Sequence, residues 1–277
     1  MFDRVAIIGV GLVGGSVGLA LKARRLARHV AGVTLDGRSL RAALRARAID
    51  SGSTDLETGV LGASLVVLAA PVGSLPRLAR DVLALVSTDC VMTDVGSVKK
   101  EVVRAAGRDP RFVPGHPMAG SERSGVEHAS AELFEGSVAV LTPARSAAWA
   151  IARVALLWRR LGARVVRMSA REHDARAAAA SHAPFAAAAA IVDALASKAA
   201  ALAASGFRDT TRVAASDPAL WAEILVANRA EVVRSLGTVR SSLRRIETAV
   251  RAGDERRLRS LLARSARARE RLGRKLT

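Results

Sequence analysis

The chain has 277 residues, half of them apolar, so it can bury a sizeable core and is long enough for two domains. Its formal net charge is +18, but aromatic residues make up only 3% of the chain, too few for a surface that stacks nucleic-acid bases. The single cysteine, Cys90, excludes an internal disulfide and a cysteine metal cluster, and the absence of tyrosine excludes catalysis by a Tyr–Lys pair.

The first half of the chain alternates short β-rich runs with amphipathic helical stretches. Predicted strands cover 4–9, 29–34, 65–70, 90–94, 111–114 and 137–141, with one more candidate at 163–168. Predicted helices cover 14–25, 38–47, 74–85, 98–106 and 146–161. This alternation predicts a doubly wound parallel sheet with helices on both faces, and we place that α/β domain at residues 1–169.

From residue 170 the pattern is helical, with expected breaks at Pro184, 205–206, 217–218, Gly237 and 253–254. We therefore predict an all-helical domain over residues 170–277. The alanine-rich helix after Pro184 has small side chains on every face, which suits the centre of a homodimer, although a core helix within one subunit is the alternative. The arginine-rich stretch 240–275 keeps apolar residues at helical spacing, so we expect two docked helices there.

The bias towards arginine fits solvated helix faces, and we expect no nucleic-acid partner. No apolar run reaches the roughly 20 residues needed to span a bilayer, so we expect no membrane insertion. The chain enters its first strand at once, without a basic and apolar leader ahead of it. These features predict a cytoplasmic protein.

The stretch VAIIGVGLVGGS at 5–16 reads as a strand, a glycine turn and a helix start. Gly9 permits the tight turn, Gly11 lets a pyrophosphate approach the backbone, and Gly14 lets helix and strand pack closely. The following helix start, at Leu12 and Val13, offers N–H groups and a partial positive charge to phosphates. The pattern predicts a site for a dinucleotide cofactor.

The second strand should end at the residue that reads the adenosine ribose, and this position falls at Thr34. Asp36 follows two residues later and favours the 2′-hydroxyl of NAD, whereas Thr34 with Arg38 favours the 2′-phosphate of NADP. The sequence leaves the choice open. The turn at Ala70 and Pro71, after another strand, is expected to lie against the ribose and nicotinamide.

Five short motifs indicate the chemistry. In chain order they are GLVGGS at 11–16, DVGSVK at 94–99, GHPMAGSE at 115–122, SH at 181–182 and GFRDTTR at 206–212. Together they resemble the prephenate/arogenate dehydrogenase family of tyrosine biosynthesis, over about residues 4–228. The resemblance implies an NAD(P)-dependent oxidoreductase that catalyses the oxidative decarboxylation of prephenate to 4-hydroxyphenylpyruvate. Arogenate dehydrogenase, which gives tyrosine directly, is the alternative, and no metal is implied.

The resemblance also assigns roles on the loops that carry these motifs. His116 would accept the proton of the substrate hydroxyl, a task that suits an imidazole pKa near 6.5, and Ser97 would bond the same hydroxyl. Arg212 would clamp the ring carboxylate with two parallel hydrogen bonds. The alternative roles are a structural turn for His116, a helix cap on the helix beginning at Val98 for Ser97, and a solvated arginine for Arg212.

Three further residues would complete the pocket by the same resemblance. Arg208 would reach the substrate across a dimer, His182 would line the pocket, and Glu122 would orient polar groups at its mouth. His182 has the alternative of a hydrogen-bonded core histidine, and Glu122 has the alternative of an acid in the first turn of a helix. Many family members carry a second histidine three residues after it, where this chain has Phe185, which puts recognition of the substrate side chain in doubt. His173 with Asp174 opens a helix, and we interpret that pair as structural.

Two rival functions remain at this point. One is a two-domain dehydrogenase acting on 3-hydroxy acids, which would need a lysine in the helical domain; only Lys198 precedes Lys275 there, within the alanine-rich stretch. That function would also leave His116 without a role. The other is a non-catalytic dinucleotide- or nucleic-acid-binding protein, for which the sequence shows neither helix-turn-helix spacing nor interleaved aromatic residues.

Overall fold

The computed structural model describes residues 2–195 and 197–276, with the side chains of residues 197, 198 and 273–276 outside that description. Its strands are β1 Phe2–Ile8, β2 Ala27–Val33, β3 Ser51–Ser53, β4 Leu65–Leu68, β5 Val91–Asp94, β6 Phe112–Val113, β7 Gly115–Pro117, β8 Val138–Leu141 and β9 Arg164–Arg167. Its α-helices are α1 Leu12–Ala23, α2 Gly37–Arg45, α3 Leu56–Val60, α4 Leu75–Leu85, α5 Lys100–Ala106, α6 Ala148–Arg160, α7 Ala170–Ala177, α8 Ala183–Asp193, α9 Ser205–Thr211, α10 Pro218–Ala227, α11 Arg229–Arg251 and α12 Glu255–Leu276.

Six strands form a parallel sheet in the order β3-β2-β1-β4-β5-β6. This is the order of a Rossmann-type sheet, so the predicted doubly wound fold is confirmed. Both faces of the central strands are covered, and β4 is accordingly apolar and buried at every position. β3 and α3 were not predicted; β3 gives no strand signal because it is only the polar tripeptide Ser-Gly-Ser at the sheet edge.

A second, three-stranded sheet was not predicted. β7 pairs antiparallel with β8, and β8 pairs parallel with β9, so the predicted strands 137–141 and 163–168 do not extend the large sheet. Pro114 separates β6 from β7 and redirects the chain between the two sheets. His116 therefore lies on a strand, paired with Val140, and its expected position on a loop was wrong.

The chain from Ala170 onward is helical, as predicted, but two of the expected breaks are absent. The run from α7 to α8 continues through Pro184 by way of a π-helical turn, Ala178–His182. The wider turn accommodates the proline, which lacks a backbone N–H and whose ring would clash with the backbone inside a regular α-helix. Gly237 lies within the 23-residue helix α11, because a single glycine costs only about 1 kcal/mol there.

The apolar core has two parts, one on each face of the parallel sheet. One part packs α1 and α6 against the sheet, and the other packs α4 and α5 against the opposite face. The last two helices contact each other but leave Leu243, Val250 and Leu262 more than half exposed, so the expected apolar stripe is not covered within one chain. Among the described helices, none combines the length and apolar character needed to cross a bilayer.

The glycine turn after β1 is sterically fixed. Gly9 has φ +90°, and a Cβ there would overlap the carbonyl oxygen of Ala69, so only glycine fits both the backbone and the space. A Cβ on Gly14 would overlap the carbonyl oxygen of Gly9, where α1 approaches the strand end. A Cβ on Gly11 meets nothing within 4 Å, because this position faces open space at the start of α1.

We expect Gly14→Ala and Gly11→Ala to affect different properties. Gly14→Ala should lower the free energy of unfolding by about 2 kcal/mol or more, since a methyl group is forced against backbone. Gly11→Ala should leave the unfolding free energy nearly unchanged but weaken dinucleotide binding at least tenfold, by blocking the pyrophosphate. Urea denaturation and titration calorimetry measure the two effects; equal stability losses in both variants would contradict this assignment.

Candidate active site

An open cleft of about 960 Å³ lies beside the glycine turn. Five of the predicted cofactor residues line it, namely Gly9, Gly11, Thr34, Asp36 and Arg38. Leu12 and Val13 begin α1 directly after Gly11, which gives the cleft the N–H groups of a helix start. The open space at Gly11 and the helix start fit a pyrophosphate, so these residues suit a dinucleotide.

The Ala70–Pro71 turn is close to this cleft but does not line it. The backbone of Ala69 and Ala70 abuts Gly9, which sets the turn beside the first strand. The turn also contacts the helical region, because the N–H of Gly73 donates to the carboxylate of Glu223 on α10. The turn therefore joins the cofactor cleft to the helices.

Asp36 is engaged at the start of α2. Its Oδ1 accepts from the N–H of Ser39 at 2.8 Å and its Oδ2 from the Ser39 hydroxyl at 3.0 Å, bonds that lower the pKa of the carboxyl. The Thr34 hydroxyl, directly after β2, donates to the carbonyl of Asp36 at 2.9 Å. The residue that follows β2, Thr34, thus offers a hydroxyl group, and the nearby carboxylate of Asp36 caps α2.

A buried ion pair organises the loop after β5. Lys99 and Asp94 are fully buried, and the Lys99 ammonium donates to Asp94 and, at 2.7 Å, to the carbonyl of Gly115. Asp94 in turn accepts from the N–H of Gly96 at 2.9 Å and of Gly115 at 3.1 Å. Burial lowers the pKa of Lys99, while Asp94 opposes that shift. The pair ties the DVGSVK loop to the strand that carries His116.

His116 is 9% exposed and makes one side-chain hydrogen bond. Its Nδ1 lies 2.9 Å from Nε2 of His173, and Nδ1 of His173 lies 2.8 Å from Oδ1 of Asp174. Burial, together with His173 and Lys99, holds the pKa of His116 well below its usual range. The imidazole is therefore neutral at pH 7, and its expected pKa near 6.5 was wrong because that value belongs to a solvated side chain.

His182 lies in the π-helical turn and is buried beside this cluster. The amide nitrogen of Asn228 donates to the carbonyl of Asp174 at 2.8 Å and to Nδ1 of His182 at 3.2 Å. Burial and the neighbouring His173 lower the pKa of His182 to about 4. The hydrogen bonding proposed as the alternative role for His182 is present, alongside its proximity to the His116 cluster.

Ser97 does not cap α5. That helix begins at Lys100, and its first N–H groups, those of Lys99 and Lys100, donate to Asp174 at 2.8 and 2.9 Å. Ser97 is half-buried on the same loop, between Gly96 and Lys99, whose bonds to Asp94 fix the loop. The capping role considered for Ser97 was wrong because a carboxylate from the helical region fills it.

Arg212 and Glu122 form an exposed pair. Nη1 of Arg212 lies 2.8 Å from Oε2 of Glu122, and the Arg212 side chain is 63% exposed. The pKa of Glu122 is lowered, chiefly by a backbone hydrogen bond and further by Arg212. Arg208 is exposed on α9, one turn before Arg212. Two guanidinium groups thus lie in one segment of the helical region.

Phe185 occupies the position at which many family members have the second histidine. Its ring stacks on Trp221 with centroids 3.8 Å apart and an interplanar angle of 1°. His182 meets the same indole edge-on at 6.1 Å. Trp221 therefore connects α10 to the helix that carries both residues, and an apolar stack replaces a polar donor at this position.

Three residues of the buried cluster were not predicted as site residues: His173, Asp174 and Asn228. His173 and Asp174 are neighbours at the start of a helix, and only the fold, which brings α7 beside β7, places His173 against His116. Asn228 carried no signal, because it lies 46 residues from the histidine that it contacts. No group of three or more metal-ligating side chains occurs among the described residues.

Comparison with known proteins matches both halves of the chain. The prephenate dehydrogenase nucleotide-binding domain matches residues 17–167, and the prephenate dehydrogenase dimerization domain matches residues 169–264. Prephenate dehydrogenase of Bacillus subtilis is 35% identical over 245 residues, which cover 84% of this chain and 66% of that relative. Cyclohexadienyl dehydrogenase of Zymomonas mobilis is 34% identical over 268 residues, covering 92% and 90%.

A solved structure agrees over the whole fold. The crystal structure of prephenate dehydrogenase from Aquifex aeolicus, in complex with hydroxyphenyl propionate and NAD+, superimposes with a TM-score of 0.91 at 30% identity. The match covers 98% of this chain and 99% of that one. With two matching domains, similar relatives and a shared fold, the chain belongs to the prephenate/arogenate dehydrogenase family.

Proposed function

We propose that this protein is an NAD(P)-dependent prephenate dehydrogenase, which converts prephenate to 4-hydroxyphenylpyruvate and carbon dioxide in tyrosine biosynthesis. The observation that carries the proposal is a buried, neutral imidazole, His116, held beside the loop that bears Ser97. The Bacillus subtilis and Aquifex aeolicus relatives carry the same activity in their names. Arogenate dehydrogenase is the alternative activity of the same site.

The residues of the chain supply positioning and one proton acceptor. His116 takes the proton of the ring hydroxyl, and the Ser97 hydroxyl bonds to the same oxygen. A dinucleotide held in the cleft beside Gly9 and Gly11 would supply a nicotinamide as the hydride acceptor for the carbon that bears this hydroxyl. The bond to the ring carboxylate then breaks, its electron pair completes the aromatic ring, and carbon dioxide leaves. His116 returns its proton to the phenolate oxygen, so the imidazole ends the cycle as it began it.

Cationic side chains of the helical region hold the anionic substrate. We propose that Arg212 binds the ring carboxylate, which displaces Glu122 from the guanidinium. Arg208 reaches the substrate of the partner subunit, and His182 lines the pocket. Phe185 places an aromatic ring, and no hydrogen-bond donor, near the substrate side chain. Both prephenate and arogenate are therefore substrates to test.

The experiment that tests this function measures absorbance at 340 nm with prephenate and arogenate, each combined with NAD and NADP. Reduced cofactor should form with prephenate, and His116→Asn should lower kcat by about 10²–10⁴-fold while cofactor binding is kept. Asparagine places its amide near the position of Nδ1, so contact with His173 survives and only the catalytic nitrogen is lost. The exposed His128→Asn serves as the matched control; no reduced cofactor with either substrate would rule the proposal out.

Three features of the cofactor cleft support the binding of a dinucleotide that carries a 2′-phosphate. Asp36 caps α2, the residue after β2 is Thr34, and two arginines of α2, Arg38 and Arg45, line the cleft. An arginine at this place can bind a 2′-phosphate, whereas an acid would bind the 2′-hydroxyl. The Aquifex aeolicus relative binds NAD+. We propose that this enzyme uses NADP as well as NAD and that Arg38 reads the phosphate.

Arg38→Ala should raise the Michaelis constant for NADP about tenfold or more, because a charge-assisted hydrogen bond is lost, and should leave that for NAD within about twofold. Arg41→Ala is the matched control, since Arg41 is exposed on the same helix but does not line the cleft. Initial rates with both cofactors decide the question. Equal changes for NAD and NADP would show that Arg38 does not discriminate between them.

The helical region, residues 170–277, is proposed as the substrate and dimerisation domain, with residues 1–169 as the dinucleotide-binding domain. Its match to a dimerization domain supports this assignment. So does the exposure of large apolar side chains in this region, namely Leu202, Val226, Val233, Leu243 and Val250, which are each more than 60% exposed. A homodimer would cover such surfaces.

Sedimentation equilibrium should therefore give the mass of two chains. Val233→Glu with Leu243→Glu should shift the mass towards one chain, because charges at a buried apolar interface are strongly unfavourable. Leu61→Glu, at an exposed apolar position in the other half of the molecule, is the matched control and should leave the mass unchanged. A single-chain mass for the unmodified protein would contradict the proposed dimer.

A further inference from the structure

His116, His173 and Asp174 form one hydrogen-bonded chain. The two distances are 2.9 and 2.8 Å, and all three side chains are at most 9% exposed. The imidazole rings of His116 and His173 meet edge to face, with centroids 5.1 Å apart. We propose that His173 and Asp174 are positioning residues that fix His116 in the tautomer with a proton on Nδ1 and a free lone pair on Nε2.

The direction of this chain is set at Asp174. Its Oδ1 accepts from the backbone N–H of Lys99 and its Oδ2 from that of Lys100, so the carboxylate faces donors on both oxygens. A carboxylate that accepts cannot also donate, so Nδ1 of His173 must carry the proton that it shares with Oδ1. When the His173 ring carries one proton, that proton is on Nδ1 and Nε2 is left as an acceptor.

The position of the proton on His116 follows from the position of the proton on His173. Since Nε2 of His173 accepts, Nδ1 of His116 must donate, and the remaining nitrogen of His116, Nε2, holds the lone pair. This is the nitrogen that can take a proton from a substrate hydroxyl. Without the hydrogen bonds through His173, both tautomers of His116 would be accessible. The tautomer protonated on Nε2 cannot take a proton from the substrate at that nitrogen.

The hydrogen-bonded residues also surround the positive charge that His116 gains during the reaction. When the hydroxyl O–H bond breaks and an N–H bond forms at Nε2, His116 becomes an imidazolium. Burial opposes this charge most, and His173, Lys99 and His182 oppose it further, which holds the pKa of His116 low. Asp174, reached through His173, and Asp94, paired with Lys99, are the anionic groups of the cluster. Two hydrogen bonds through His173 connect the imidazolium of His116 to the carboxylate of Asp174.

The inference rests on the proposed function and is tested through His173. Asp174 is unsuited to substitution, because it also caps α5 and its loss would perturb the fold. His173→Leu removes the acceptor for Nδ1 of His116 at similar volume. His173→Gln places an amide oxygen near the position of Nε2 and so can accept the same proton. The two variants separate hydrogen bonding from packing.

We expect His173→Leu to lower kcat about 100-fold or more, with the Michaelis constant for the cofactor unchanged within about threefold. His173→Gln should regain at least about tenfold of that loss. Unchanged kcat in His173→Leu would overturn the positioning role. Equal losses in the leucine and glutamine variants would assign His173 to packing alone and overturn it as well.

A second readout does not depend on turnover. The chain has five histidines, so nitrogen-15 labelling gives a small set of imidazole signals. Long-range nitrogen–proton correlation should show His116 protonated on Nδ1 and bare on Nε2, and His173→Leu should show mixed tautomers. A proton on Nε2 of His116 in the unmodified protein would overturn the inference. If the unmodified enzyme turned over neither substrate, the proposed function would fail, but this spectrum would still decide the tautomer.

Discussion

The carboxylate of Asp174 joins the two parts of the molecule. It lies on the first helix of the helical region, yet it caps α5 of the parallel sheet and holds His173, which in turn holds His116. One side chain therefore connects the position of the helices, the loop that carries Ser97 and the orientation of the His116 imidazole. A buried carboxylate is stable in this place because each of its oxygens accepts hydrogen bonds.

A buried ion pair on the side of the parallel sheet supports the same arrangement. Lys99 and Asp94 hold the loop after β5 against Gly115, next to His116. Removing one member of a buried ion pair leaves an uncompensated buried charge and typically lowers the free energy of unfolding by about 3–5 kcal/mol. The site thus depends on polar groups that are fully enclosed, while Arg212, paired with Glu122, remains at the surface.

Local sequence patterns were sufficient for the Rossmann sheet and the cofactor turn. The glycines at 9, 11 and 14 act within one strand–turn–helix unit, so their roles follow from short-range geometry. The motifs also indicated His116 and the family. The strand position of His116 and its depressed pKa did not follow, because both arise from contacts with β8 and with α7, far away in the chain.

The contact between His173 and His116 shows the same limit. A His-Asp pair at a helix start is explained locally by capping and by the helix dipole, and only the packing of α7 against β7 and α5 adds the contact with His116. Pro184 failed as a predicted break for a related reason. A π-helical turn, which no simple periodicity indicates, absorbs it and carries His182.

The pH dependence of kcat/KM tests most directly whether a buried, neutral imidazole is the base. A lowered pKa keeps His116 unprotonated below pH 6.5, so initial rates with prephenate should stay level through pH 6.5 and fall only well below it. A loss of half the activity at pH 6.5 or above would contradict this, because it would describe a solvated histidine of ordinary pKa.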